Sequence, residues 1–129
     1  MSIDPDLIRV LAVDDHALLR EGIAALVNAE PDMRVIAEAI HGEQAIENFR
    51  IHRPDVTLMD LQMPGMDGFD ALEALKTNPV TREIPVIALS ADAMPHQVAK
   101  GQQVGFEAYL TKPLDILKFQ AVLEDLLTI

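Results

Sequence analysis

Residues 56–60 read VTLMD, and 61–68 continue LQMPGMDG. The first five residues carry no polar alternation. A short run of this kind, rich in Val, Leu and Met, reads as a strand buried on both faces, which is how strands of a parallel sheet read. The run stops on Asp60, and a loop with one Pro, two Gly and a second acid at Asp67 follows. A carboxylate at the end of a buried strand is a helix cap, a turn residue or a group displayed for chemistry. The stretch alone leaves all three open.

Four more runs resemble it: IRVLAV (8–13), MRVIAEA (33–39), IPVIALS (84–90) and AYL (108–110). Helical spacing fills the gaps. Leu18, Leu19, Ile23, Leu26 and Val27 share a face in 17–29, and Ala45, Ile46 and Phe49 do so in 43–52. Phe69, Leu72 and Leu75 mark 69–77, and 95–104 is weakly apolar. In 114–127, Ile116, Phe119, Leu123, Leu126 and Leu127 form one face, with Leu114, Leu117 and Ala121 on a second. That second stripe reads as partial burial or as a contact surface. Pro31, Pro54, Pro79 and Pro85 punctuate the elements. Five alternations of strand and helix predict an α/β fold, a five-stranded parallel sheet with helices on both faces. No linker or repeat divides the 129 residues, so one domain with a core from about 8 to 127 is expected.

Composition narrows the function. Half of the residues are apolar, which argues against disorder. Ten Lys and Arg stand against 21 acids, a formal net charge of −11. Direct nucleic-acid binding needs basic patches that displace counterions, so proteins or cations are the expected partners. The chain has no cysteine, and its first residues, MSIDPDLIRV, lack the pattern of a secretory leader. No apolar run approaches the length of a membrane span. A cytoplasmic protein without membrane insertion is the expectation.

In an open α/β sheet, ligands bind beyond the carboxyl ends of the strands. The first strand ends in Asp14–Asp15, the third in Asp60, the fourth in Ser90–Ala91 and the fifth in Thr111–Lys112–Pro113. Singly, these are caps, turn residues and a surface lysine. Together they bring three carboxylates, a hydroxyl and an ammonium to one edge. Three carboxylates side by side repel each other, and a hard cation relieves the repulsion. Mg²⁺ takes oxygen ligands, keeps several waters and is commonly held by one or two carboxylates plus phosphate oxygens. An Asp carboxylate is also a nucleophile toward phosphorus, and the remaining groups suit the charge on a phosphoryl group.

The pieces VDDH (13–16), LMDLQMPGMDG (58–68), ALSA (88–91) and YLTKP (109–113) resemble, in order and spacing, the CheY-like receiver domains of two-component response regulators. The resemblance runs from about Ile8 to Leu127 and implies a flavodoxin-like fold. It implies that Asp60 is the phosphoacceptor. Asp14, Asp15, Asp60 and the backbone carbonyl of Gln62 would hold Mg²⁺, with Asp15 a more direct ligand than Asp14. Ser90 would hydrogen-bond the phosphoryl group, Lys112 would pair with it, and Tyr109 would move inward as the aromatic switch. A cis Lys112–Pro113 bond is implied as well, while Asp67 and Gly68 only shape their loop. The donor would be a histidine kinase or phosphotransfer protein. The surface 95–127 would serve a homodimer or an output domain. On this likeness the chain is no enzyme beyond phosphorylating itself and slowly losing the phosphate.

Two features depart from the commonest members. The switch hydroxyl is Ser90 where Thr is more frequent, and Gln62 and Asp92 occupy positions that tune dephosphorylation in the family. The first half resembles receivers that precede a DNA-binding helix-turn-helix. The second half, with IPVIALSADAM and GFEAYLTKPLD, resembles receivers of hybrid histidine kinases. A stand-alone receiver, a piece of a longer protein and a recombined chain all accord with this.

Three other readings stand beside this one. A haloacid dehalogenase-type phosphohydrolase needs an acid two residues after the nucleophile, where this chain has Gln62, and has no room here for a cap domain. A flavodoxin-like cofactor binder needs glycines in the first loop, which reads DDHA. A receiver used as a constitutive interaction module would have no reason to keep every chemical position filled. His16, His41, His52 and His96 lack ligand spacing and read as surface or cap residues.

Overall fold

The computed structural model describes residues 7–40, 42–60, 73, 76–77, 82–90, 107–111 and 114–127. Among them, five strands form one parallel sheet: β1 (Ile8–Val13), β2 (Met33–Ala39), β3 (Val56–Asp60), β4 (Val86–Ser90) and β5 (Ala108–Thr111). Their order across the sheet is β2-β1-β3-β4-β5, the flavodoxin-like arrangement. The chain reverses direction of travel at β1, so β1 and β3 flank the crevice where such folds bind ligands.

Side-chain alternation explains why the strands read as continuously apolar. Leu11, Val13, Met59, Val86 and Ala88 face one side of the sheet, where Ala45 and Phe49 of α2 (Gly42–His52) cover them. Val10, Ala12, Val56, Leu58, Ile87 and Leu89 face the other. There they meet Ile23 and Val27 of α1 (Ala17–Asn28) and Phe119 and Leu123 of α3 (Ile116–Leu127). Both faces are therefore buried, and a fully buried Phe or Leu adds about 1.5–3 kcal/mol.

Five boundaries differ from the sequence reading, two of them by one residue where α1 ends at Asn28 and α2 starts at Gly42. The fourth strand starts at Val86, because Pro85 has no N–H to pair; its carbonyl accepts the Thr57 N–H at 3.0 Å instead. The fifth strand runs one residue further, to Thr111. The last helix starts at Ile116. Asp115 caps it, its Oδ1 accepting the N–H groups of Leu117 at 3.0 Å and Lys118 at 3.4 Å. Leu114 thus lies before the helix, buried, while Leu117 is 73% exposed. The second stripe splits into one core residue, Leu114, and two exposed residues, Leu117 and Ala121. The β1–β2 register shifts between Val10 and Leu11, where β2 carries one extra residue, Ile36. Of the expected helix over 69–77, Glu73, Lys76 and Thr77 are described and helical; the one over 95–104 lies outside the described residues.

Candidate functional site

Register brings the acids together. Val13 pairs with Met59 and Asp60 with Leu89, so the residues just past Val13 stand level with Asp60 and with Ser90, one step beyond Leu89. The Asp14 N–H still bonds the β2 carbonyl of Ala39 at 3.0 Å, which fixes Asp14 as an extension of β1. Asp14 is 1% exposed and Asp60 3%. Asp15 sits at the rim, half-buried.

Two local contacts shape the β1 end. The His16 N–H donates to Asp14 Oδ1 at 2.9 Å, turning the chain toward α1. Arg20 reaches back from the first turn of α1, donating to the Asp14 carbonyl at 2.8 Å and to Glu38 Oε1 at 2.9 Å. Arg20 therefore ties the acidic loop to both α1 and β2.

One ligand atom each from Asp14, Asp15, His16 and Asp60 lies within 4.8 Å of the others. Donors on opposite sides of a Mg²⁺ ion stand about 4.2 Å apart, so small side-chain shifts close the set on one cation. Asp15 Oδ1 is buried and has no hydrogen-bond partner among the described residues. A buried carboxylate oxygen in that position is destabilising unless something positive meets it. The donor set is mostly hard oxygen, and it fits a divalent cation.

The three expected carboxylates thus converge. Ser90 ends β4 and Tyr109 lies within β5, both placed by their backbone. Gln62, Asp67, Gly68, Asp92, Lys112 and Pro113 lie outside the described residues. Sequence reasoning passed over two neighbours. Arg20 gave no signal, because a helical arginine usually reads as a solvated charge. His16 is the exposed N-terminal cap residue of α1, as expected, yet its ring lies beside the acids. Its adjacency to Asp14 and Asp15 in VDDH was the available clue.

Next to Asp14 an apolar cleft of about 380 Å³ opens along α1, between Leu18, Leu19, Leu26 and Leu114. Leu18 is 81% exposed. No helix among the described residues is long and apolar enough to cross a membrane.

Residues 10–124 match the family model of the response regulator receiver domain. The nitrate/nitrite response regulator protein NarL of Escherichia coli strain K12 is 38% identical over 112 residues, covering 84% of this chain and 51% of that protein. The chain spans about half the length of the curated relatives it matches. The signal receiver domain of NarL from Mycobacterium tuberculosis superposes with a TM-score of 0.84 at 33% identity, covering 97% of this chain and 100% of that one. The receiver domain of a signal transduction histidine kinase from Syntrophus aciditrophicus gives 0.79 at 26%, covering 93% and 89%. An acidic crevice between β1 and β3 and a sequence match over nearly the whole chain lead to the same place: the chain belongs to the receiver domains of two-component response regulators.

Proposed function

We propose that this chain, acting as one receiver domain, is a phosphorylation-driven switch whose acceptor is Asp60. The observation that carries the reading is the meeting of the buried Asp60 carboxylate with Asp14 and Asp15 at the β1/β3 crevice. The donor is a phosphohistidine on a histidine kinase or phosphotransfer protein. An Asp60 oxygen attacks phosphorus, the P–N bond breaks, and the imidazole nitrogen leaves with the bonding pair and takes up a proton. The product is an acyl phosphate on Asp60. Attack by water later returns the carboxylate and inorganic phosphate.

Asp14, Asp15, Asp60 and the Gln62 carbonyl hold the cation in this reading. Mg²⁺, when bound, offsets the charge on the phosphoryl oxygens. Lys112 pairs with the phosphoryl group and the Ser90 hydroxyl hydrogen-bonds it. Tyr109 follows Ser90 inward, and the surface 95–127 changes for a homodimer or an output domain. The apolar cleft along α1 is ground for the donor protein, because Asp14 lines it and anything seated there lies beside the acceptor edge. The chain works in the cytoplasm and has no external product. Membership of a signalling family disfavours the hydrolase and the cofactor binder, and the gathered carboxylates disfavour the constitutive module.

Tyr109 is the chain's one tyrosine, and there is no tryptophan. Beryllofluoride with Mg²⁺ should therefore change tyrosine fluorescence in the wild type and leave Asp60→Asn unchanged. No change in the wild type, or the same change in Asp60→Asn, contradicts the reading.

A further inference from the structure

We propose that the His16 imidazole is a fourth side-chain ligand of the acidic pocket, so that the site binds a borderline divalent cation such as Ni²⁺ or Co²⁺ more tightly than Mg²⁺. The inference rests on reading the pocket as the cation site. It adds a nitrogen donor and, with it, a metal preference.

The ring is placed for the task. His16 Nδ1 stands 3.1 Å from Asp15 Oδ1 and 3.4 Å from Asp14 Oδ1. Around an ion with bonds of about 2.1 Å, neighbouring donors lie roughly 3.0 Å apart in an octahedron and 3.4 Å in a tetrahedron. The two separations fall in that range. The shorter one is not a hydrogen bond, since Asp15 Oδ1 has no hydrogen-bond partner among the described residues. Nδ1 and the Asp15 carboxylate stand within ion-pair reach of each other, and a cation bound to both would take the place of that pairing.

The local backbone leaves the ring available. His16 is the N-terminal cap residue of α1, a position whose side chain ordinarily accepts an N–H from the first turn. The His16 side chain makes no such bond. It is also 63% exposed, so no packing holds it where it is. Its backbone N–H is anchored on Asp14 Oδ1 at 2.9 Å, which holds the main chain beside the acids, and in the observed rotamer the ring reaches them.

Chemistry then sets the preference. Mg²⁺ favours oxygen and retains its waters, so an imidazole adds little to its binding. Imidazole suits the later first-row metals, and their affinity for nitrogen-containing sites rises from Mn²⁺ through Co²⁺ and Ni²⁺. The phosphoryl chemistry needs only the oxygens. The nitrogen decides which cation competes for them.

The test is calorimetric titration of the full chain with NiCl₂ and separately with MgCl₂, for the wild type, His16→Ala and His52→Ala. His52 lies in the last turn of α2 and controls for stray histidine binding. The expected result is a loss of Ni²⁺ affinity of ~10-fold or more in His16→Ala, with Mg²⁺ affinity kept within about 2-fold and both unchanged in His52→Ala. The Co²⁺ visible spectrum should lose its imidazole contribution in the same variant. Equal loss for both cations, or no loss for Ni²⁺, overturns the inference. Titration of Asp15→Asn separates the two readings: if it weakens Mg²⁺ while His16→Ala leaves Ni²⁺ unchanged, the nitrogen ligand alone is wrong. If neither Asp15→Asn nor Asp60→Asn alters either cation, the cation site falls and the inference with it.

Discussion

The two ends of the sheet treat charge in opposite ways. At the start of the strands, cations meet acceptors. The Arg9 guanidinium donates to the carbonyls of His52 at 2.7 Å and Arg53 at 3.1 Å, closing the C-terminus of α2. The Arg9 N–H donates to Asp55 Oδ2 at 2.8 Å, and the Asp55 N–H returns a bond to the Arg9 carbonyl. Lys76 spans the Arg82 and Ile84 carbonyls and Glu107. At the other end, three carboxylates gather beneath the crevice, two of them almost wholly buried. Arg20, in the first turn of α1, is spent on the Asp14 carbonyl and Glu38. One end is finished for stability. The other gathers like charge at the crevice, as expected where the fold binds rather than braces.

Breaking the finished end should damage the fold and spare the chemistry. Arg9→Ala removes two charge-assisted bonds to the α2 terminus and is expected to lower unfolding free energy by about 2 kcal/mol. Urea denaturation measures it, and the phosphorylation rate from a small donor should stay as in the wild type. The acidic end should behave inversely. Asp15→Asn relieves repulsion at a buried oxygen and should raise metal-free stability by about 0.5–1 kcal/mol. Mg²⁺ at ten times its dissociation constant should stabilise the wild type by about 1.4 kcal/mol, and this gain should shrink in the variant. Denaturation with and without Mg²⁺ gives both signs in one experiment.

An effect of similar small size sharpens the picture of the finished end. Arg53 ends α2 with φ of 45°, in the left-handed region that glycine occupies freely. Its main-chain N–H bonds the Phe49 carbonyl at 3.0 Å, so the backbone holds the conformation. Arg53→Gly should stabilise the chain by about 0.5–1 kcal/mol in thermal unfolding. A loss instead would mean that the Arg53 side chain makes a contribution the backbone argument omits.

Most of this architecture was legible beforehand, for a physical reason. Strands buried on both faces leave unbroken apolar runs, so VTLMD and IRVLAV declared a parallel sheet, and the acids at their ends pointed to the edge where Asp14, Asp15 and Asp60 meet. What the pattern concealed was local. Pro85 delayed β4 through a missing N–H, a one-atom effect with no periodicity. Asp115 moved the last helix start by capping it, and so changed Leu114 from a helical stripe residue into a core residue before the helix. His16 lacked the helical spacing of a ligand, because its approach to Asp15 comes from a tight turn. Arg20 was invisible for the same reason, since its partners are a carbonyl and a residue on β2.

Phosphoryl acceptance by Asp60 is the central claim, and intact-mass measurement addresses it most directly. The chain is incubated with acetyl phosphate and MgCl₂, its mass is read, and the modified residue is mapped by peptide fragmentation after borohydride trapping. The account predicts a gain of one phosphoryl group on Asp60, dependent on Mg²⁺ and absent in Asp60→Asn. A gain that persists in Asp60→Asn, or none in the wild type, contradicts it.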